Sequence, residues 1–271
     1  MTSPPEPTGT DTSPTAGSPS AFARWRRRPL GAGDRFGGFL FGLFGLMGVY
    51  SVVAVFTAQT ATALAVLPTP VDELVSFFPA SIFVYFWLYP QVVTPLVLVT
   101  DRRVLLRGAF AYGCLVAFAV PFWLMWPVTV PRESVPVVDL TSWGVALLRS
   151  LDPPTNCFPS MHVAGSFLAA LLARRHSRLL GSLLTLSAVA VWWSTMALEQ
   201  HWFVDGLVGL VLAVVVNHLV FAWRPLPASA FGRGRERQFG WIVLLYLVLV
   251  AVAAAPWFAG WMTGADLPER W

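Results

Sequence analysis

Two short clusters carry the chemistry of this chain. Asn156-Cys-Phe-Pro-Ser-Met-His162 and Glu199-Gln-His-Trp-Phe-Val-Asp205 set two histidines, a serine and an aspartate in an otherwise apolar sequence. Ionisable groups near a bilayer are costly, so such clusters mark function. Pro159 suits the first turn of a helix, where its missing N–H costs nothing. Ser160, Met161 and His162 would then lie at a helix N-terminus, whose free N–H groups and dipole favour an anion. The serine adds a hydroxyl donor and the histidine a transferable proton. His201 and Asp205 are four residues apart, the spacing of one helix face. The aspartate can hold one imidazole nitrogen and leave the other free to attack. Arg132, in Pro-Val-Thr-Val-Pro-Arg, offers a planar fork for phosphate oxygens. These parts suit phosphoryl transfer through a phosphohistidine, with no cofactor and no metal. A metal site of His162, His201 and Asp205 ranks lower, because a cradle built for an anion repels a cation.

The elements that position these residues must be membrane helices. The 271 residues are 56% hydrophobic and 12% charged, with a mean hydropathy of +0.65. Soluble domains carry about 25% charged residues. The fold class expected is all-α, a polytopic bundle. Apolar stretches of span length, about 20 residues, fall at 36–58, 80–99, 108–128, 160–173, 179–198, 203–222 and 240–262. The first six make a catalytic domain over 36–222. A loop at 223–239 leads to a seventh helix and short tail over 240–271. Residues 1–35, rich in Pro, Ser, Thr and Gly and ending in arginines, read as a disordered basic tail. The two cysteines, Cys114 and Cys157, show no metal-ligand spacing and define no disulfide framework. No sequence feature points to nucleic acid.

All 18 basic residues are arginine. Segments 1–35, 100–107, 174–178 and 223–239 hold 5, 3, 3 and 4 of them. If every stretch spans, these segments share one side, which the positive-inside rule makes cytoplasmic. The 129–159 loop and both clusters then face outward. The expectation is an integral protein of the plasma membrane, its N-terminus cytoplasmic and its site on the outer face.

Phe-Pro-Ser-Met-His162, with Ser194-Thr195, His201 and Asp205 downstream, resembles the type 2 phosphatidic acid phosphatase superfamily, which carries a PSGH-like motif and then SRxxxxxHxxxD. The resemblance implies Ser160 as a phosphate ligand, His162 as general acid, His201 as nucleophile and Asp205 as its partner. The family's Lys-x6-Arg-Pro motif is absent; Arg132 stands as its substitute, with Arg149 as a further candidate. Thr195 replaces the motif arginine and Met161 the motif glycine. These variants resemble the branch that contains inositol phosphorylceramide synthases, whose members transfer head groups to alcohols. The implied partners are a lipid phosphate or phospholipid, membrane lipids and an alcohol acceptor. Two other readings remain: a non-catalytic lipid-binding or transport protein, and vanadium-type halide oxidation. His176 and His218 read as interfacial and structural.

Overall fold

The computed structural model describes Ser20 and residues 30–222 and 236–259. The expected N-terminal tail, the 223–239 loop and the C-terminal tail lie largely outside these residues. Eight helices form. α1 runs Ala32–Thr60, with a π-helical turn over Phe41–Leu46. α2 is Pro79–Leu98 and α3 is Arg102–Met125. α4 is Leu140–Leu151, α5 Met161–His176, α6 Arg178–Ala197, α7 Phe203–Phe221 and α8 Glu236–Phe258. Five of them, α1, α2, α3, α6 and α7, are long and apolar enough to cross a membrane. The chain is an all-helical polytopic bundle. Isolated parallel bridges join Ala65 to Val128 and Val128 to Asn156.

α5 is only 16 residues long, yet it is the centre. Its positions 162–170 are buried without a break. A helix is buried all round only when no face is polar. Here the sequence Ala164-Gly-Ser166 and Ala169-Ala170 supplies small side chains on successive faces, so neighbours approach closely. α2, α3, α6 and α7 pack around it. Capping fixes the helix starts. Asp101 accepts from Arg103 N–H at 2.7 Å, Asp139 from Ser142 N–H at 2.8 Å and Ser177 from Leu180 N–H at 3.3 Å.

The arginine-rich ends gather at one end of the bundle. Arg35 of α1 donates to Leu96 and Val99 carbonyls at the end of α2, the latter at 2.7 Å. Arg102 at the start of α3 pairs with Asp34. Arg175 at the end of α5 bonds Asn217 of α7 at 3.1 Å and lies over the Phe221 ring. The opposite end holds both chemical clusters.

One element departs from the sequence reading. The 129–159 segment contains α4, a three-turn helix. Its buried face is Trp143, Gly144, Val145 and Leu148. At 12 residues it is too short to span, so a search for span-length runs passes over it. Asp139 opens it with a reciprocal cap to Ser142.

Candidate active site

Ser160 is the N-cap of α5, its hydroxyl oxygen accepting from Val163 N–H at 3.4 Å. Pro159 therefore stands outside the helix, before the cap, rather than in the first turn. Ser160 N–H donates to the Asp205 carbonyl at 3.0 Å, which ties α5 to α7. Gly209 permits that approach, and Gly206 lets α7 close on Trp192 of α6. A Cβ on Gly209 would lie 2.5 Å from the Ser160 carbonyl oxygen, and one on Gly206 would lie 2.0 Å from Trp192 Nε1.

His201 also departs from the helical expectation. α7 begins at Phe203, so His201 precedes it. Capping, not a shared helix face, brings the pair together. Asp205 Oδ2 accepts Trp202 N–H at 2.9 Å and lies 3.5 Å from His201 Nδ1. The turn that delivers His201 is held by the Thr195 carbonyl, which accepts from Gln200 N–H at 2.8 Å and His201 N–H at 3.2 Å. Glu199 in that turn has φ of 56°, left-handed backbone that a non-glycine residue adopts only under constraint.

The two histidines meet directly. His162 Nδ1 is 2.9 Å from His201 Nε2. His201 Nδ1 is 2.9 Å from the Cys157 carbonyl oxygen, and His162 Nε2 is 2.7 Å from the Tyr85 hydroxyl. A carbonyl can only accept, and a neutral imidazole has one donor and one acceptor nitrogen. With both rings neutral, the direction of the whole chain follows. His201 Nδ1–H donates to Cys157 and leaves a lone pair on Nε2. That lone pair accepts His162 Nδ1–H, and His162 Nε2 accepts the Tyr85 O–H. The arrangement yields a basic nitrogen on His201 facing a proton on His162.

Arg132 lies beside this pair. Its Nη1 donates to the Asp152 carbonyl at 2.9 Å, Nη2 to Gln200 Oε1 at 2.6 Å and Nε to the Glu199 carbonyl at 3.4 Å. Arg149 is one step further out, paired with Glu199 at 2.8 Å and bonded to the Glu133 carbonyl. Burial lowers its pKa, opposed by Glu199. The Ser194 and Thr195 hydroxyls turn back to their own helix, to Val191 and Trp192 carbonyls at 2.7 Å each. Met161 is the first residue of α5 and packs beside the core cluster around Val163 and Leu212.

Four site residues were invisible in the sequence. Tyr85, fully buried, comes from the aromatic run Phe83-Val-Tyr-Phe-Trp87, where nothing singles it out. Tyr50 of α1 donates its hydroxyl to Asp152 Oδ1 at 2.9 Å and packs edge-on against His162. Asp152 ends α4, and burial raises its pKa, with Arg132 the strongest opposing influence. Gln200 adjoins His201, and that adjacency was its one available signal.

Cys157, His201 and Asp205 have ligand atoms within 4.8 Å of one another, the spacing of a metal trio. The thiol does not suit that role. Burial holds its pKa well above the usual thiol range, and its sulfur faces the Gln200 carbonyl at 3.4 Å. A metal ligand needs the thiolate.

The described residues thus form an all-helical bundle in which His162 of the central helix meets His201 of the turn before α7. The family profile described as the PAP2 superfamily matches residues 73–219, and the chain belongs to that superfamily. No curated protein and no solved structure matches the chain. Membership supports a phosphatase-type enzyme that handles lipid phosphates.

Proposed function

We propose that this protein transfers a phosphoryl group, or a phospho-head-group, from a lipid-linked phosphate by way of a covalent adduct on His201. The observation that carries this reading is the one-directional hydrogen-bond chain from the Cys157 carbonyl through His201 and His162 to Tyr85. It leaves His201 Nε2 as a nucleophile and His162 Nδ1–H as an acid, side by side.

In the first step Nε2 attacks phosphorus and the bond to the leaving oxygen breaks. His162, protonated on both nitrogens once the anionic phosphate is bound, with the Tyr85 oxygen then accepting from Nε2–H, gives its Nδ1 proton to that oxygen and becomes a neutral imidazole, so an alcohol departs. His201 Nδ1–H stays on the Cys157 carbonyl and Asp205, which stabilises the cationic ring as it forms. In the second step water or an alcohol attacks phosphorus and returns a proton to His162 Nδ1. The P–N bond breaks and His201 recovers its lone pair. Arg132, Ser160 and the first N–H groups of α5 hold the phosphate oxygens, with Met161 contributing its backbone. Arg149 and Thr195 support the surrounding turn. For Arg132 to bind a phosphate it exchanges its neutral acceptors for charged ones, a stronger bond.

The arginine distribution favours an outward-facing site in the plasma membrane, with a cytoplasmic N-terminus. A binding-only role leaves the aligned histidine pair without a use. The Thr195 and Met161 variants favour an alcohol as the second acceptor, as in head-group transferases. Rapid quench with a labelled lipid phosphate tests the reading. An acid-labile, base-stable adduct on His201 is expected, and its decay with water against added alcohols identifies the acceptor. Full turnover by His201→Ala would overturn the mechanism.

A further inference from the structure

α1 precedes the residues matched by the family profile, yet it is fastened to the site. At the site end, Tyr50 O–H bonds Asp152, and the Tyr50 and Ala54 carbonyls accept from Asn156 at 2.9 Å and Thr155 at 3.0 Å. At the other end, Asp34 pairs with Arg102 and Arg35 holds the last carbonyls of α2. Between these two ties α1 stands off the core. The gap is a cavity of about 320 Å³ walled by α1, α2, α3 and α5. No charged residue lines it, and His162 closes it at the site end. Along α3 its lining runs from Trp123 to Val104. At 1.5 Å per residue that is roughly 28 Å, close to the hydrocarbon thickness of a bilayer, about 30 Å.

We propose that this groove holds the hydrocarbon chain of the same lipid whose phosphate reaches His201, with α1 as the strap that covers it. The inference rests on the proposed phosphotransfer function and adds to it a chain-length requirement. The occupant follows from continuity: a groove without charge that ends on the acid histidine suits the apolar tail of the reacting molecule. A phosphate ester without a tail has no use for it. Two glycines set its bore. A Cβ on Gly42, in the π-helical turn, would meet nothing within 4 Å, and one on Gly108 would meet only Leu172 at 3.9 Å. Larger side chains at these positions extend into the groove without a clash at Cβ.

The test uses the full chain in mixed micelles, monoalkyl phosphates of rising chain length and a water-soluble aryl phosphate. Wild-type kcat/KM should rise with chain length. Gly42→Leu and Gly108→Leu should each lower it about tenfold for the longest chains, mainly through KM. Aryl phosphate turnover should stay within about twofold, which also reports that the variants fold. An unchanged chain-length profile in both variants overturns the proposal, as does an equal loss on every substrate. A second measurement uses an alkyl phosphate with a photoreactive group at the chain end. Labelling of α1 and α3 near Gly42 and Leu105 supports the groove; labelling confined to α6 and α7 overturns it. If the wild-type protein forms no His201 adduct with any lipid phosphate, the phosphotransfer reading itself fails, and that outcome is distinct from the others.

Discussion

The hydroxyl of Tyr85 stands 2.7 Å from Nε2 of His162, while the other nitrogen of that ring faces His201. The phenol closes a chain whose direction the Cys157 carbonyl sets. Tyr85→Phe removes the partner of Nε2 and leaves the ring of His162 held on the His201 side alone. Turnover of an alkyl lipid phosphate should fall by about 10–100-fold, part of the roughly 10²–10⁴-fold that a general acid contributes, because His162 itself remains. An activated aryl phosphate, which needs little protonation, should lose far less. His162→Ala should show the same pattern more strongly. Rates measured across a series of leaving groups check this, and a uniform loss in Tyr85→Phe would reduce the residue to packing.

Asp205 reaches His201 Nδ1 at 3.5 Å, longer than the 2.9 Å contact to the Cys157 carbonyl. The carbonyl fixes the tautomer and the carboxylate supplies charge. Asp205→Asn should therefore keep the fold and slow adduct formation by up to about 10⁴-fold, the scale set by loss of an orienting acid in serine protease triads. Single-turnover rates of adduct formation measure it. A change within twofold would transfer the stabilising role to the backbone alone.

Arg132 and Arg149 stand at different depths around Glu199. Arg132→Lys keeps the charge and loses the fork, so activity should drop; Arg132→Ala should drop it further. Arg149→Ala should be milder, acting through Glu199. Steady-state KM and kcat for a lipid phosphate rank the three. A more damaging Arg149→Ala would exchange the two assignments.

Gly209 lets α7 touch the first turn of α5. Gly209→Ala places a methyl 2.5 Å from the Ser160 carbonyl oxygen, a backbone atom that cannot rotate away. Overpacking of this kind costs about 1–3 kcal/mol. The larger effect should be catalytic, because the displaced turn carries Ser160 and His162. Thermal unfolding and kcat, measured together, should show activity falling well beyond the stability loss.

Asp152 gives a pH signature. Its carboxyl pKa is raised on folding, chiefly by burial. The ionised form thus favours the unfolded chain, and stability is lost as pH climbs from the unfolded carboxyl value through the raised folded one. Asp152→Asn keeps an oxygen for the Tyr50 hydroxyl and removes the ionisation. Its Tm should exceed that of the wild type at neutral pH, with the gain vanishing in acid. A gain that persists in acid would point to packing instead.

The bundle was legible because membrane helices announce themselves by length and apolarity. Each of the seven stretches falls on a helix, and among the described residues Arg35, Arg102 and Arg175 lie at one end. His162, His201, Asp205 and Ser160 were legible because polar groups are rare in such a chain. What stayed hidden was short or ordinary. α4 falls below span length. Tyr85 and Tyr50 are aromatic residues in aromatic-rich segments, and partner identity there depends on three-dimensional packing. The backbone geometry at two of these places differed from the expectation. Ser160 caps α5 with Pro159 outside it, and His201 meets Asp205 through the cap of α7. Local spacing gave proximity but not the backbone that enforces it.

His162 and His201 lie 39 residues apart, on either side of α6. The order of synthesis then sets when chemistry becomes available. On the proposed mechanism, a nascent chain that has emerged through α6 already holds the acid His162, its Tyr85 partner and Arg132, but has no nucleophile. Competence arrives with the turn at 199–205 and requires α7 to dock, since Ser160 N–H waits for the Asp205 carbonyl. On that reading, translation lays down an inert membrane bundle first and a complete site only with α7. A chain stalled or cleaved before that point would be a silent by-product, not a slow catalyst.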